Sequence, residues 1–203
     1  MRIAIVDYGM GNIKSITSTL NFLGVEEVLV TNDYNDLKNA DKLILPGVGS
    51  FAKAMSKIVE NRIDEKLIDL VKINKKPILG ICLGMQLLCK ASTEDGNNKG
   101  LAFINADVTK FEEQNIKIPH VGFNQVKKNS TSILFQEIND NSDFYFTHSY
   151  KVTSSENINQ STCQYGQTFI AAFEVENIYA TQFHPELSQN NGLQLLKNFL
   201  IAV

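Results

Sequence analysis

The sequence lacks tryptophan, and it has few of the residues that mark disulfide-rich, zinc-binding or nucleic-acid-binding proteins. Its three cysteines, Cys82, Cys89 and Cys163, are an odd number without the spacing of a disulfide framework, so we interpret them as reduced thiols. Three histidines form no cluster that suggests a metal site. The 19 basic residues do not outnumber the 22 acidic ones and form no stripe, which argues against a nucleic-acid partner.

Long apolar runs are also absent. None approaches the length of a membrane span, and the first residues pass directly into a strand pattern without the features of a signal peptide. We therefore expect a cytoplasmic protein with no membrane partner. A length of 203 residues suits a single domain, 1–203, large enough to bury a core of its own.

Strand and helix patterns alternate through the first half of the chain. Short apolar strands at Arg2–Asp7, Val25–Thr31, Lys42–Leu45 and Ile78–Ile81 are separated by helical patterns, which predicts an α/β fold with a mostly parallel sheet and helices on both faces. A helix at 192–201 closes the chain. Between these parts, successive strand patterns predict an added antiparallel or mixed portion: Ile104–Phe111, Ile118–Val126, Asp143–Val152, Ser161–Tyr165, Thr168–Val175 and Ile178–Phe183.

The strongest chemical signal is the stretch around Cys82. A buried-strand pattern ends at Gly80-Ile-Cys82-Leu-Gly84, and a helical pattern, Met85–Ala91, follows. G-x-C-x-G is the cysteine counterpart of the serine nucleophile elbow, a sharp strand-to-helix turn that needs small neighbours. The start of a helix also favours the thiolate form. The alternative is a cysteine that serves as a small buried apolar residue.

Two further glycine pairs follow strand ends. Gly9-x-Gly11 lacks the third glycine of a dinucleotide fingerprint and the lysine of a phosphate loop, so we interpret it as a tight strand-to-helix turn. The stretch from Pro46 to Gly49 follows the third strand. It is either a simple turn or a loop whose backbone N–H groups point into a site at the carboxyl edge of the sheet.

A cysteine nucleophile needs a base, usually histidine, held by a third group. The candidates are His120, His148 and His184, and each has the alternative of a structural or surface histidine. His184 alone is followed two residues later by a carboxylate, that of Glu186. Side chains at i and i+2 of an extended segment point the same way, and His184 also follows a strand. We therefore predict His184 and Glu186 as the partners of the thiol.

Together these motifs resemble a known family. Gly-Ile-Cys82-Leu-Gly-Met-Gln86 and Gln-Phe-His184-Pro-Glu186 are similar to the class I glutamine amidotransferases of the triad type, over essentially the whole chain. Further motifs resemble, within that family, the glutaminase subunits of imidazole glycerol phosphate synthase, from histidine biosynthesis. They are Asp7-Tyr-Gly-Met-Gly-Asn12, Pro46-Gly-Val-Gly49, Ile-Pro-His120, Thr-His148-Ser-Tyr150 and the closing Gly-Leu-Gln-Leu-Leu-Lys-Asn-Phe199.

The resemblance implies hydrolysis of L-glutamine to glutamate and ammonia. Cys82 would attack the carboxamide, His184 would move the proton, and Glu186 would orient His184. The implied oxyanion hole consists of backbone N–H groups of Leu83, Val48 and Gly49. The residues implied to line the glutamine pocket are Gln86, His148, Ser149 and Tyr150.

The resemblance also implies a heterodimer with a (β/α)8-barrel cyclase subunit, which receives the ammonia through its interior, and no metal or organic cofactor. Asn12, Phe123 and Leu187 are the implied interface positions. Two of them depart from the family, which usually has tryptophan in place of Phe123 and a basic residue in place of Leu187. These departures leave open a paralogous glutaminase that supplies a different synthase, such as one amidating a surface nucleotide-sugar.

Two other classes of protein are alternatives. A catalytically silent binding subunit would only complete an assembly, and the complete set of Cys82, His184 and Glu186 argues against it. A cysteine peptidase or another hydrolase on a related α/β fold would act without a partner on substrates other than glutamine.

Overall fold

The computed structural model describes residues 1–112 and 116–203. Its helices are α1 (Ile13–Phe22), α2 (Tyr34–Asn39), α3 (Phe51–Glu60), α4 (Ile63–Leu67, continued by a π-helical stretch, Ile68–Ile73), α5 (Leu83–Leu87) and α6 (Gln189–Ile201). The strands are β1 (Arg2–Val6), β2 (Glu27–Thr31), β3 (Lys42–Leu45), β4 (Ile78–Ile81), β5 (Ala91–Ser92), β6 (Asn98–Lys99), β7 (Asp107–Lys110), β8 (His120–Lys127), β9 (Ser142–His148), β10 (Tyr150–Thr153), β11 (Ser161–Tyr165), β12 (Gln167–Val175) and β13 (Ile178–Thr181).

The strands of the described residues belong to one sheet, in the order β2-β1-β3-β4-β13-β12-β10-β7-β5-β6. The pairs from β2 to β13 are parallel, and β12 then runs antiparallel to β13. A branch of β11, β8 and β9 continues from β12 in antiparallel pairs. The predicted fold class, a mostly parallel sheet with an added antiparallel portion, is confirmed.

Helices cover both faces of the parallel part, because its strands alternate two sets of apolar side chains. Leu43 and Leu45 of β3 belong to one buried cluster with Phe51 and Ile58 of α3. On the opposite face, Ile44 belongs to a second buried cluster, in which α1 contributes Ile16 and Leu20 and α6 contributes Leu195 and Phe199. Among the described residues, no helix combines the length and apolar character of a membrane span.

The helix after Cys82 differs from the prediction. It spans Leu83–Leu87 instead of Met85–Ala91, because the carbonyls that another turn would use are already taken. The backbone N–H groups of Leu101 and Phe103 donate to the carbonyls of Leu87 and Leu88, each at 2.9 Å. The next predicted strand, Ile104–Phe111, is shortened to β7, Asp107–Lys110, and the Ile104 N–H instead donates to the Leu88 carbonyl at 3.1 Å.

The predicted strand Asp143–Val152 is in fact two strands. β9 pairs with β8, whereas β10 pairs with β12 and β7, and the change of partner falls at Ser149. The polar loop predicted at 93–100 contains half of a small hairpin, β5 with β6. Neither difference alters the fold class. The change of partner does, however, interrupt the strand pairing at Ser149.

Candidate active site

Cys82 lies on a sharp turn between β4 and α5. Its backbone has φ 55° and ψ −109°, a strained conformation for a residue other than glycine. The turn is held because the Cys82 N–H donates to the Thr181 carbonyl of β13 at 2.8 Å. The predicted nucleophile elbow is therefore present in its geometry, with the buried thiol at the carboxyl edge of the parallel strands.

The glycines on either side of Cys82 are explained by close backbone approach. A Cβ atom on Gly84 would lie 1.8 Å from the backbone oxygen of Leu45, and one on Gly80 would lie 2.9 Å from the Gly84 carbonyl carbon. Both conflicts are with backbone, which cannot move aside as a flexible side chain can. The elbow therefore needs glycine at 84 in order to pack against β3, and glycine at 80 in order to bring α5 close to β4.

His184 and Glu186 form a buried pair that follows β13. His184 Nδ1 lies 2.9 Å from Glu186 Oε1, and both side chains are almost completely inaccessible. The backbone of His184 is also fixed, since its N–H donates to the Tyr145 carbonyl at 2.9 Å and its carbonyl accepts from Ser188 Oγ at 2.6 Å. Because β13 and β4 are parallel neighbours with Ile81 opposite Thr181, His184 and Cys82 emerge at the same edge of the sheet.

The pKa of His184 is raised to about 10. Burial by itself would lower it, but the interaction with Cys82 and the hydrogen bond and charge of Glu186 together outweigh that effect. Since Nδ1 faces Glu186, Nε2 is the nitrogen left for the sulfur, and within the described residues it has no hydrogen bond of standard geometry. The neighbouring Cys82 and Glu186 therefore favour the protonated form of this histidine.

The Pro46–Gly49 loop packs directly on the elbow. A Cβ atom on Gly47 would lie 2.7 Å from Leu83 Cβ and 2.6 Å from the hydroxyl of Tyr8, which donates to the Pro46 carbonyl at 2.6 Å. Gly49 has φ +95°, in the region that favours glycine. The loop and the first residue of α5 therefore border the same space above the sulfur.

A cavity of about 270 Å³ opens over Cys82. Its volume is near the lower end of small-ligand pockets, about 300 Å³. Nine of the residues singled out from the sequence line it together: Val48, Gly49, Cys82, Leu83, Gln86, His148, Ser149, Tyr150 and His184. The break between β9 and β10 brings residues 148–150 to the cavity. The prediction of one continuous strand, Asp143–Val152, was therefore wrong at a position that belongs to the site.

His120 and His148 form a second buried pair beside the cavity. His148 Nδ1 lies 2.7 Å from the Tyr150 carbonyl and must donate to it, which leaves Nε2 as the acceptor for His120 Nδ1 at 3.0 Å. Burial is the main cause that lowers the pKa of His148 to about 3 and that of His120 to about 4. His120, which we considered as a catalytic base, instead supports the pocket residue His148.

Like Glu186, the three predicted interface positions lie outside the cavity lining. Asn12 Nδ2 donates to Glu186 Oε1 at 3.1 Å, so its side chain supports the His184–Glu186 pair. Phe123 and Leu187 are on the surface, with 50% and 40% of their area exposed. Phe123 and Leu187 are thus outside the cavity, whereas Asn12 contacts the Glu186 carboxylate.

Sequence reasoning missed Glu94, which also lines the cavity. Its Oε2 accepts from the backbone N–H of Phe51 at 2.9 Å, which fixes the carboxylate beside the end of the glycine loop. The available signal was an acidic residue in the first polar loop after the cysteine helix, a weak one without the fold. No group of three or more potential metal ligands occurs in the part of the chain that the structure describes.

Comparison with known proteins identifies the class. Residues 4–203 match the model of the glutamine amidotransferase class-I family. The chain is 47% identical to the imidazole glycerol phosphate synthase subunit HisH 1 of Campylobacter jejuni (strain 81-176), covering 97% of this chain and 98% of that protein. It is 41% identical to the HisH subunit of Aquifex aeolicus (strain VF5), covering 98% and 96%. The chain therefore belongs to the class I glutamine amidotransferases, and within them to the HisH subunits.

Solved structures share the fold at lower identity. One is the crystal structure of a GMP synthase component from Thermoplasma acidophilum, with TM-score 0.72 and 23% identity over 98% of this chain and 92% of that one. Another is PurLQS of Thermotoga maritima, with TM-score 0.73 and 17% identity over 98% and 97%. At these identities the likeness concerns the fold alone.

Proposed function

We propose that this chain is the glutaminase subunit of an imidazole glycerol phosphate synthase. It hydrolyses L-glutamine to glutamate and ammonia, and the ammonia passes to a (β/α)8-barrel cyclase subunit that makes imidazole glycerol phosphate and AICAR in histidine biosynthesis. The observation that carries the proposal is the strained Cys82 beside the buried His184–Glu186 pair, at the floor of a cavity, in a chain whose relatives are HisH subunits. We propose that it works in the cytoplasm as one domain, without metal or cofactor.

The chemistry begins with the pair of Cys82 and His184. The thiolate sulfur attacks the side-chain carboxamide carbon of glutamine, and the C=O becomes a tetrahedral oxyanion. His184 Nε2, protonated because of its raised pKa, gives its proton to the departing nitrogen as the C–N bond breaks. Water then attacks the resulting thioester, His184 takes its proton, and glutamate leaves with the C–S bond broken. Glu186 holds the imidazole in position through both halves.

The oxyanion is stabilised by backbone donors of the elbow and of the glycine loop. Leu83 directly follows the nucleophile, and Val48 and Gly49 border the same cavity. We propose that the loop reorients when the cyclase binds its own ligand, which completes the hole and starts hydrolysis. Removing one such donor costs on the order of a hundred- to a thousandfold in rate, so this change in one loop suffices as a switch.

The cavity also suits the amino-acid end of glutamine. Gln86, His148, Ser149 and Tyr150 supply polar groups around its walls, and Glu94 supplies a carboxylate. We propose that the Glu94 carboxylate binds the α-ammonium group of glutamine, since an opposite charge in a concave site gives orientation as well as affinity.

The proposed docking surface for the cyclase consists of Val121, Phe123 and Leu187. All three are exposed, and Val121 and Phe123 point the same way from β8. The Phe123 ring packs edge-on against Tyr145 at 5.5 Å between ring centres, so it is rigid enough to anchor a partner. Leucine at 187 gives this surface an apolar contact where the family usually has a charge. The HisH relatives disfavour the paralogous glutaminase as an alternative.

The docking surface is tested by binding to the cyclase subunit from the same organism. We expect Phe123→Ser to weaken the complex about tenfold or more, because it removes an exposed aromatic anchor. Phe22→Ser, which removes a phenylalanine 77% exposed at the end of α1, is the matched control and leaves binding unchanged. Equal binding by both variants would remove this surface from the proposal.

The catalytic assignment is tested in the complex with two nitrogen sources. We expect Cys82→Ser and His184→Ala each to abolish synthesis driven by glutamine, while synthesis driven by added ammonia continues. The ammonia reaction shows that the complex has assembled, so it serves as the control. Glutamine-driven synthesis that survived either substitution would refute the proposed roles.

A further inference from the structure

A row of side-chain amides connects the nucleophile with the substrate cavity. Gln182, completely buried, lies with Nε2 3.8 Å from Cys82 Sγ. Its Oε1 accepts from Gln86 Nε2 at 3.0 Å, and the same Gln86 nitrogen donates to the Tyr150 carbonyl at 3.2 Å. The mechanism above gives Gln182 no role, although its amide is among the groups nearest to the sulfur.

The orientation of each amide follows from the Tyr150 carbonyl, which only accepts. The group of Gln86 that faces it must therefore be the NH₂, and the group of Gln182 that faces that NH₂ must be the oxygen. The NH₂ of Gln182 is then directed to the Cys82 sulfur. His148 Nδ1 donates to the same carbonyl at 2.7 Å, so the Tyr150 carbonyl is held by two donors.

A donor beside the sulfur favours the charged form of the thiol. Hydrogen bonding to an ionised group stabilises that form, and an N–H to thiolate contact is stronger than the same contact with a neutral thiol. The backbone cannot drift away from this contact, because Cys82 N–H and the Thr181 carbonyl are bonded across β4 and β13. Gln182 follows Thr181 directly and is therefore held in register with the nucleophile.

We infer that Gln182 is a positioning residue for glutamine hydrolysis: it stabilises the Cys82 thiolate and ties the sulfur to the pocket residue Gln86. The inference rests on the proposed function for its substrate. Gln86 Oε1 has no hydrogen-bond partner among the described residues, while Gln86 lines the cavity, so this oxygen is left to accept from a substrate N–H. Substrate bound at Gln86 is thereby linked through Gln182 to the attacking atom.

The test is the rate of alkylation of the full chain by iodoacetamide as a function of pH, with the modified peptide identified by mass. Cys82 lines the cavity, whereas Cys89 and Cys163 do not, and burial is the main cause that raises the pKa of those two thiols, so we expect iodoacetamide to modify Cys82 first. The variants are Gln182→Met, which removes the donor at similar length, and Gln182→Glu, which places an acceptor and a negative charge beside the sulfur. Gln136→Met, at an exposed glutamine, is the matched control.

We expect Gln182→Met to slow alkylation at pH 7 about tenfold and to move the pH profile of the alkylation rate to higher pH. The tenfold factor corresponds to the loss of one hydrogen bond to a charged group. Gln182→Glu slows it further, and Gln136→Met follows the wild-type profile. In the complex, both Gln182 variants lower glutamine-driven synthesis and keep ammonia-driven synthesis.

Wild-type alkylation profiles in both Gln182 variants would overturn the inference, even with glutamine-driven synthesis reduced, because a merely structural role does not move the thiolate population. If Gln182→Met does not fold, the isosteric Gln182→Glu decides by the same profile. Failure of the wild-type complex to hydrolyse glutamine would instead refute the proposed function. The alkylation profiles would still decide whether Gln182 acts on the sulfur.

Discussion

The buried pair His120–His148 makes the stability of the fold depend on pH in a defined window. In the folded chain the pKa values are about 4 for His120 and about 3 for His148, lowered mainly by burial. In the unfolded chain both return to about 6.5. Between pH 4 and 6.5 the unfolded state therefore binds up to two more protons than the folded state. The free energy of unfolding must rise with pH there and fall on acidification.

The magnitude follows from the shifts. Each histidine contributes about 1.6 kcal/mol between pH 6.5 and 5, because the slope grows from about 0.7 kcal/mol per pH unit at pH 6.5, where the unfolded imidazole is half protonated, toward about 1.4 at lower pH. The pair together contributes about 3 kcal/mol, a large part of a typical stability of about 5–15 kcal/mol. His184 does not interfere: its pKa is raised to about 10, so its contribution is complete below pH 6.5 and is lost only as the pH rises toward 10.

The assay is urea unfolding followed by circular dichroism at several pH values between 5 and 6.5. His120→Asn and His148→Asn each retain an amide donor near the position of Nδ1. Relative to wild type, we expect each to reduce the average slope of unfolding free energy against pH by about 1 kcal/mol per pH unit over this range, and the double variant by about twice that. His184→Asn is the control and keeps the wild-type slope. Equal slopes in wild type and in the two pair variants would refute the neutral buried pair.

Three further predictions concern packing and the catalytic pair. Gly84→Ala should destabilise the fold by more than about 4 kcal/mol in urea unfolding, because its Cβ would lie 1.8 Å from a backbone oxygen, whereas Gly24→Ala, with open space around it, should cost about 1 kcal/mol. Lys42→Met should cost about 2 kcal/mol in the same assay, since the buried ammonium donates to three carbonyls at the end of α6. Glu186→Gln should lower the pKa of His184 measured by NMR and reduce glutamine-driven turnover on the order of a hundredfold, with ammonia-driven turnover as the control.

Local patterns were sufficient for the parallel part of the fold, and they were also the basis for proposing the catalytic set. The elbow at Cys82 is encoded within five residues, and the pairing of His184 with Glu186 follows from the period of an extended segment. Local patterns do not encode the hydrogen bonds that backbone groups far away in the sequence make to an element. Leu101 and Phe103 end the helix after Cys82 by taking its last carbonyls.

The pocket was harder to predict for the same reason. The change of strand partner at Ser149 depends on where β12 and β7 lie, and a run of residues favourable to strand shows no sign of it. Glu94 enters the cavity because its carboxylate accepts from Phe51, forty-three residues earlier in the chain. The departures at Phe123 and Leu187 concern an outer surface, and their effect remains a prediction.

The parallel pairing of β4 with β13 has a consequence for how this chain tolerates change. Cys82 follows one strand and His184 follows its neighbour, so their separation is set by one ladder, with Ile81 opposite Thr181. The long segment of chain between β4 and β13 begins and ends at that ladder. Extra residues inserted at the exposed turn around Glu156 would lengthen the segment between these strands without moving Cys82 or His184. Tags, sensors or whole small domains can therefore be carried there by an enzyme that keeps its catalytic spacing.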